Sequence, residues 1–159
     1  MPSAPEHAWR IARRLHALDR LGTGARLAGG RWNSPGLPAL YAGLTPEIAA
    51  FEKLVHTADL LPPDLVLTRL DLPGDSDLYQ HFTAKDLPKG WDTLPSATAA
   101  AKFGDQFLRA GKQLGFIVPS AVMPEALNLV LNPAHPAFEA VTIHIVRPFE
   151  FDRRLPRRK

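Results

Sequence analysis

Residues 29–56, GGRWNSPGLPALYAGLTPEIAAFEKLVH, place three kinds of polar chemistry on three kinds of backbone, and the rest of the chain is read outward from them. Gly29 and Gly30 let the main chain take positive φ or pack closely just before Arg31. Asn33-Ser34-Pro35-Gly36 is a strong turn signal, so a fixed loop presents Arg31. Taken alone, Arg31 fits a surface salt bridge, the common fate of a single arginine. Leu40, Tyr41 and Ala42 form a short apolar run between Pro38 and Gly43, which reads as a buried strand with Tyr41 directed into a core or a cleft. Thr45 suits an N-cap, Pro46 the first helical position and Glu47 the positive end of the dipole, so a helix starts at Pro46. At about 100° per residue, Ile48, Phe51, Leu54, Val55 and Ala58 share one apolar arc, with Lys53 on the far, solvent side. Glu52 falls at the edge of that arc, half in the core. The position suits a partly desolvated carboxylate with chemistry to do, and equally a flank glutamate that reaches water.

Upstream, Trp9, Ile11 and Leu15 alternate within residues 8–15 and suggest a strand, although the run from Arg10 is also compatible with a helix. Gly22-Thr23-Gly24 then breaks the chain. Downstream, Leu60 to Pro63 reads as a turn, and Leu65 to Leu72, apolar on both faces, as a central strand. Residues 73–97 read as a long irregular connection with one helical turn, a candidate lid. Asp71, Asp75, Asp77, Asp86 and Asp92 lack the regular spacing of a calcium loop and read as solvated carboxylates. Ser96 suits the cap of a helix reaching about Lys112, with Phe103, Phe107, Leu108 and Leu114 inward and Gly115 just past its end. Phe116 to Val118 is an apolar strand stopped by Pro119, which leaves Ser120 just beyond a strand end. No G-x-S-x-G elbow surrounds Ser120, so it does not read as a hydrolase nucleophile. Asn128 to Leu131 is a further short strand, and Asn132 to Pro136 a rigid turn that fixes His135. Ala140 to Val146 alternates most clearly of all, with Phe149 and Phe151 continuing the pattern. Strands and helices mixed without a βαβ rhythm indicate an α+β domain.

The chain has 159 residues, 45% hydrophobic and 22% charged, which suits one well-buried core over residues 1–159. It has no cysteine, so a disulfide framework and a thiolate metal site are excluded, and no metal is expected. The start, MPSAPEHAWRIARRL, lacks the apolar core of a signal peptide, and no run is long enough to span a membrane, so the cytoplasm is the default expectation. Net charge is +3, and Arg153, Arg154, Arg157, Arg158 and Lys159 crowd the end of the chain. That basic tail reads as a solvated terminus; the alternative is a non-enzymatic module that uses it on nucleic acid or an acidic partner. Phosphate-loop and dinucleotide glycine fingerprints are absent.

Five short motifs then add specificity by their order. Gly29-Gly30-Arg31-Trp32-Asn33, Tyr41-Ala42, Glu52 in a helix, Val118-Pro119-Ser120, and Asn128 with Asn132-Pro133 and His135-Pro136 closely resemble the RES domain family, named for its Arg, Glu and Ser. The likeness covers roughly residues 8–155. It implies the toxin of a RES-Xre toxin–antitoxin system, with a fold like the ADP-ribosyltransferase (diphtheria-toxin-like) enzymes, mixed small sheets with flanking helices, that consumes NAD+. By motif position it implies Arg31, Tyr41, Glu52 and Ser120 as site residues, with Arg10 as a second, N-terminal arginine. It further implies an Xre-type antitoxin partner, a protein, phosphate or water as acceptor of ADP-ribose, and nucleic acid contact only through the antitoxin.

These residue types suit that chemistry. Cleavage of the nicotinamide–ribose bond develops positive charge on the sugar, which a carboxylate such as Glu52 stabilises. Arginine forks at Arg10 and Arg31 match pyrophosphate oxygens. Tyr41 offers a ring face and a hydroxyl to a flat cationic ring, and Ser120 a hydroxyl to a phosphate or ribose oxygen.

Overall fold

Strand β3 (Leu65–Asp71) lies between two partners, as a strand apolar on both faces requires: β1 (His7–Arg13) on one side and β7 (Thr142–Pro148) on the other, both antiparallel. This is a computed structural model, and it describes residues 2–57, 62–96 and 98–156. The remaining elements are α1 (Thr23–Ala28), β2 (Leu40–Gly43), α2 (Pro46–His56), β4 (Tyr79–His81), α3 (Thr98–Ala110), β5 (Gly115–Pro119) and β6 (Leu127–Leu131). The strands form one seven-stranded sheet in the order β4-β5-β6-β2-β1-β3-β7, in which β4 and β5 are parallel. Where small separate sheets were expected, the two halves of the sheet are therefore continuous. They meet at a single register pair, Trp9 with Gly43, and that seam positions the site.

One face of the sheet is an apolar layer with Leu40, Leu70, Ile117, Leu129, Leu131, Phe138 and Val141 at its centre. On the opposite face, α3 covers Phe116, Val118 and Val130 with help from Trp32 and Leu108. Also on that face, Ala50 of α2 packs with Trp9 against Ile11, Leu65 and Leu67. The seam between β1 and β2 is thus flanked by α2 and α3.

Several sequence expectations change. Residues 73–97 are not a loose connection: they hold β4 and two short 3-10 turns, and Tyr79, Leu87 and Trp91 are buried in the core. The apolar anchors are single residues separated by polar ones, a spacing with no period to detect. Among the described residues no group of 3 or more His, Asp or Glu side chains is placed to hold a metal ion, so the loop aspartates do not converge.

Gly22-Thr23-Gly24 begins a helix rather than simply breaking the chain. Gly22 is its N-cap, in the left-handed region at φ 62°, and Asp19 accepts from the backbone N–H of Thr23 at 2.9 Å. The helix α3 ends at Ala110 because Gly111 takes a left-handed φ of 62°; Gly115, expected at its end, opens β5. The residue before α3, Ala97, lies outside the described residues, as do Ala58, Leu60 and Leu61 of the turn after α2, and Arg157, Arg158 and Lys159 of the basic tail. The last strand starts at Thr142, not Ala140, because Pro136–Ala140 forms a 3-10 turn whose N-terminus His135 caps by accepting from the Ala137 N–H.

Candidate active site

Helix α2 begins as its sequence dictates, with the Thr45 hydroxyl accepting from the Ile48 N–H. Its orientation does not follow the apolar arc. Ile48 and Ala49 are buried, Val55 is 42% exposed, and Ala49, Glu52, Lys53, Val55 and His56 line a cleft of about 950 Å3. Ala49, Glu52, Lys53 and His56 have i, i+3, i+4, i+7 spacing, one helical stripe, with Val55 at its edge. Lys53, expected on the solvent side, thus lies in the cleft and is half-buried. β1 contributes Trp9, Arg10 and Ile11 to the cleft and β2 contributes Tyr41 to Gly43, so it opens at the seam of the sheet. A second cavity, about 460 Å3 between Pro62–Leu65 and Phe149–Arg153, contains none of Arg10, Arg31, Tyr41, Glu52 or Ser120.

Glu52 is held by three side chains. Its Oε1 accepts from Ser120 Oγ at 2.6 Å and from Asn128 Nδ2 at 2.8 Å, and its Oε2 lies 3.2 Å from His56 Nε2. Burial pushes the carboxyl pKa up, but the hydrogen bonds from His56, Ser120 and Asn128 outweigh it and bring the value from 4.5 down to about 2. Glu52 is therefore ionised at neutral pH with a side chain only 22% exposed. The flank-glutamate reading does not hold.

Ser120 lies behind this carboxylate, completely buried. Its hydroxyl donates to Glu52 and accepts from the N–H groups of Val122 and Met123, so its only proton is engaged. It touches the cleft through Glu52. Asn128 was legible only as part of a motif; its contact with Glu52 comes from β6 bringing it across the sheet.

The Arg31 loop is rigid for reasons spread over the whole fold. Gly29 has φ 74°, and a Cβ on Gly30 would lie 2.7 Å from Tyr41 Oη, so both glycines are needed. Tyr41 Oη accepts from the Trp32 N–H at 3.0 Å and donates to Asn33 Oδ1 at 2.5 Å, while Asn33 Nδ2 donates to the Ala25 and Leu37 carbonyls. Asp105 of α3, 6% exposed, accepts from the Ser34 N–H at 2.8 Å and the Ser34 hydroxyl at 2.6 Å. Gly104 lets α3 approach so closely that a Cβ there would meet the Trp32 carbonyl oxygen at 1.8 Å. Asp105 and Gly104 escaped the sequence reading, since a helical Gly-Asp pair carries no signal of a distant loop.

Arg31 itself forms no salt bridge among the described residues. Its Nη1 donates to the Trp91 carbonyl at 2.8 Å and the Thr93 carbonyl at 3.0 Å, and Trp91 stacks on Trp32 with ring centroids 6.2 Å apart. Segment 73–97 thus closes onto the loop, and Leu94, Pro95 and Ser96 line the cleft. Burial lowers the Arg31 pKa, while Glu52, Asp92 and Tyr41 act in the opposite direction. With Nη1 engaged by carbonyls, Nε and Nη2 are left for an anion.

Arg10 projects from β1 into the same cleft. Its Nη1 is buried and has no hydrogen-bond partner among the described residues, and burial lowers its pKa against the raising influence of Asp19. A buried cation with an unused donor is costly unless an anion arrives. The Tyr41 hydroxyl is engaged within the loop, and its burial pushes the phenol pKa up, so its ring is what it offers the cleft. The structure brings together Arg10, Arg31, Tyr41 and Glu52, with Ser120 one bond behind.

A family model described as RES domain matches residues 7–154. A protein of Sphingobium sp. (strain YBL2) named Prs ADP-ribosylating toxin is 34% identical over 155 residues, covering 94% of this chain and 96% of its own length. A protein of Pseudomonas putida named Toxin Res is 35% identical over 150 residues, covering 92% of this chain and 97% of its own. A crystal structure of the M. tuberculosis MbcT–MbcA toxin–antitoxin complex contains a chain that matches with a TM-score of 0.61 and 21% identity, over 94% of this chain and 85% of that one, which is a likeness of fold.

Proposed function

The chain belongs to the RES domain family, and from that premise we propose that it is the toxin of a toxin–antitoxin pair, breaking the nicotinamide–ribose bond of NAD+ and passing ADP-ribose to an acceptor. The observation that carries this reading is a carboxylate held ionised by three donors in a cleft that also presents Arg10 and Arg31. As the glycosidic bond lengthens, its electron pair moves to the nicotinamide nitrogen and cancels the ring's charge, while positive charge builds at the ribose C1′ and ring oxygen. Glu52 stabilises that charge through Oε2, the oxygen that carries only the His56 contact. Because its donors are in place before reaction, little reorganisation is needed.

Arg31 and Arg10 take the pyrophosphate, and the Tyr41 ring packs on nicotinamide. Ser120 acts as a positioning residue through Glu52 rather than as a ligand donor. The relative named an ADP-ribosylating toxin favours a protein side chain as acceptor over phosphate or water. The toxin–antitoxin neighbour supports an antitoxin partner, here proposed as Xre-type, and a fold of ADP-ribosyltransferase kind is proposed from the relative named an ADP-ribosylating toxin. We propose that it acts on cytoplasmic NAD+. Among the described residues no helix is long and apolar enough to cross a membrane.

Incubation of the purified chain with NAD+ should release nicotinamide. Mass spectrometry of the products, with and without phosphate and candidate proteins, then identifies the acceptor. Intact NAD+ after prolonged incubation with every acceptor would overturn the reading in favour of a binding module.

A further inference from the structure

Lys53 follows Glu52 on α2 and points into the cleft, where it is half-buried. Burial lowers its pKa, and the like charges of Arg10, in the same cleft, and of Arg13, exposed on β1, lower it further. Among the described residues no carboxylate lies within salt-bridge distance of Lys53, Arg10 or Arg13. A half-buried lysine beside a buried arginine is unfavourable unless a counterion completes the pair. Among the described residues the buried Nη1 of Arg10 has no hydrogen-bond partner, so this end of the cleft holds an unused donor.

The charge inventory indicates what kind. On the reading given above, on which this inference rests, the two negative charges of the pyrophosphate are matched by Arg31 and Arg10, and the cationic nicotinamide belongs with Glu52. Lys53 is left over. A compact, strongly hydrated ammonium suits a phosphate monoester, which needs concentrated positive charge more than a planar fork.

We propose that Lys53, next to the Arg10 that takes the pyrophosphate, forms a second anion subsite at the β1–α2 end of the cleft that takes the 2′-phosphate of a dinucleotide, so that NADP+ is a substrate alongside NAD+. The reaction is unchanged: the C1′–N bond breaks, its electron pair leaves with nicotinamide, and the acceptor's lone pair forms the new bond to C1′ as its proton passes to solvent. The product from NADP+ is 2′-phospho-ADP-ribose in place of ADP-ribose. Free inorganic phosphate has the same chemistry as the 2′-phosphate, and the experiment separates the two.

The test compares steady-state nicotinamide release from NAD+ and NADP+ by the wild type and by Lys53→Gln. The wild type is expected to use NADP+ with kcat/KM at least equal to that for NAD+. In the variant, KM for NADP+ should rise on the order of tenfold or more, as expected for one lost charge-assisted contact. kcat, and KM for NAD+, should stay within about threefold. Equal losses with both dinucleotides would make Lys53 a general electrostatic contributor and overturn the proposal, and so would a wild type that discriminates against NADP+ by more than tenfold. Loss of phosphate stimulation of NAD+ turnover, with NADP+ unaffected, would assign the subsite to free phosphate and also overturn it.

Calorimetric binding of ADP-ribose and 2′-phospho-ADP-ribose requires no turnover. Binding of both without preference, and without effect of Lys53→Gln, defeats only this proposal. Binding of neither defeats the NAD+ reading and this proposal with it. Near-ultraviolet circular dichroism of the variant confirms that it is folded.

Discussion

Glu52→Gln isolates the charge from the shape of the site. The amide oxygen, placed where Oε1 now sits, still accepts from Ser120 and Asn128, whose donors lie 2.6 and 2.8 Å away. The amide nitrogen then faces His56, 3.2 Å away, which must present an unprotonated Nε2. The contacts survive but lose their charge assistance, which converts bonds worth roughly 1.5–3 kcal/mol into bonds worth about 1 kcal/mol. Because desolvation of the charge is relieved at the same time, the net loss of stability should be roughly 1–2 kcal/mol, or a few degrees in Tm for a chain of this size. The rate should suffer more. Removing one preorganised electrostatic element costs about 10²–10³ in kcat, equivalent to roughly 2.7–4 kcal/mol of transition-state stabilisation. KM for NAD+ should change little, since the charge is needed where the oxocarbenium forms. Initial rates of nicotinamide release at saturating NAD+, with thermal denaturation as the folding control, measure both quantities. A folded variant with near wild-type kcat, or one whose KM rises while kcat holds, would refute the role assigned to Glu52.

The same residue sets a pH dependence: its folded pKa of about 2 lies below the ordinary 4.5, so its stabilisation is complete above about 4.5 and lost as pH falls toward 2. The Tm difference between wild type and Glu52→Gln should accordingly shrink across that window, and a constant difference would contradict it. Ser120→Ala removes the donor to Oε1, so the acid limb of kcat against pH should move up by about one unit or more; a drop in Tm with an unmoved limb would make Ser120 merely structural. Arg31→Lys keeps a donor for the Trp91 or Thr93 carbonyl but loses the fork, and kcat/KM should fall about tenfold or more while the fold persists; normal turnover would mean that Arg31 only braces segment 73–97. Gly104→Ala gains helix propensity, yet its Cβ would meet the Trp32 carbonyl oxygen at 1.8 Å. A net loss of about 1–3 kcal/mol in denaturant unfolding is expected, together with lowered turnover as the Arg31 loop shifts, and an unchanged or stabilised protein would count against the packing described.

What the sequence by itself determined was much of what is encoded within a few residues of itself. The cap at Thr45 and Pro46, the turn that follows Arg31, the doubly apolar β3, and the strand that delivers Ser120 to its end are all local propensity and pattern, and they formed where the sequence placed them. The ordered motifs likewise nominated Arg10, Arg31, Tyr41, Glu52 and Ser120 without any knowledge of their distances. Tertiary structure decided the rest, because it depends on groups far apart in the chain. The apolar arc of α2 ranked side chains by hydropathy alone, but the helix packs over a seam where β1 and β2 share one residue pair, so the stripe bearing Glu52, Lys53 and His56 lines the cleft at that seam. The roles of Ser120 and Asn128 follow from β5 and β6 placing both beside a carboxylate 68 and 76 residues earlier in the chain. Arg31 is set by carbonyls 60 and 62 residues later, in a segment whose own sequence has no period. A hydrogen bond or a desolvated charge is a property of a neighbourhood, and only folding assembles the neighbourhood.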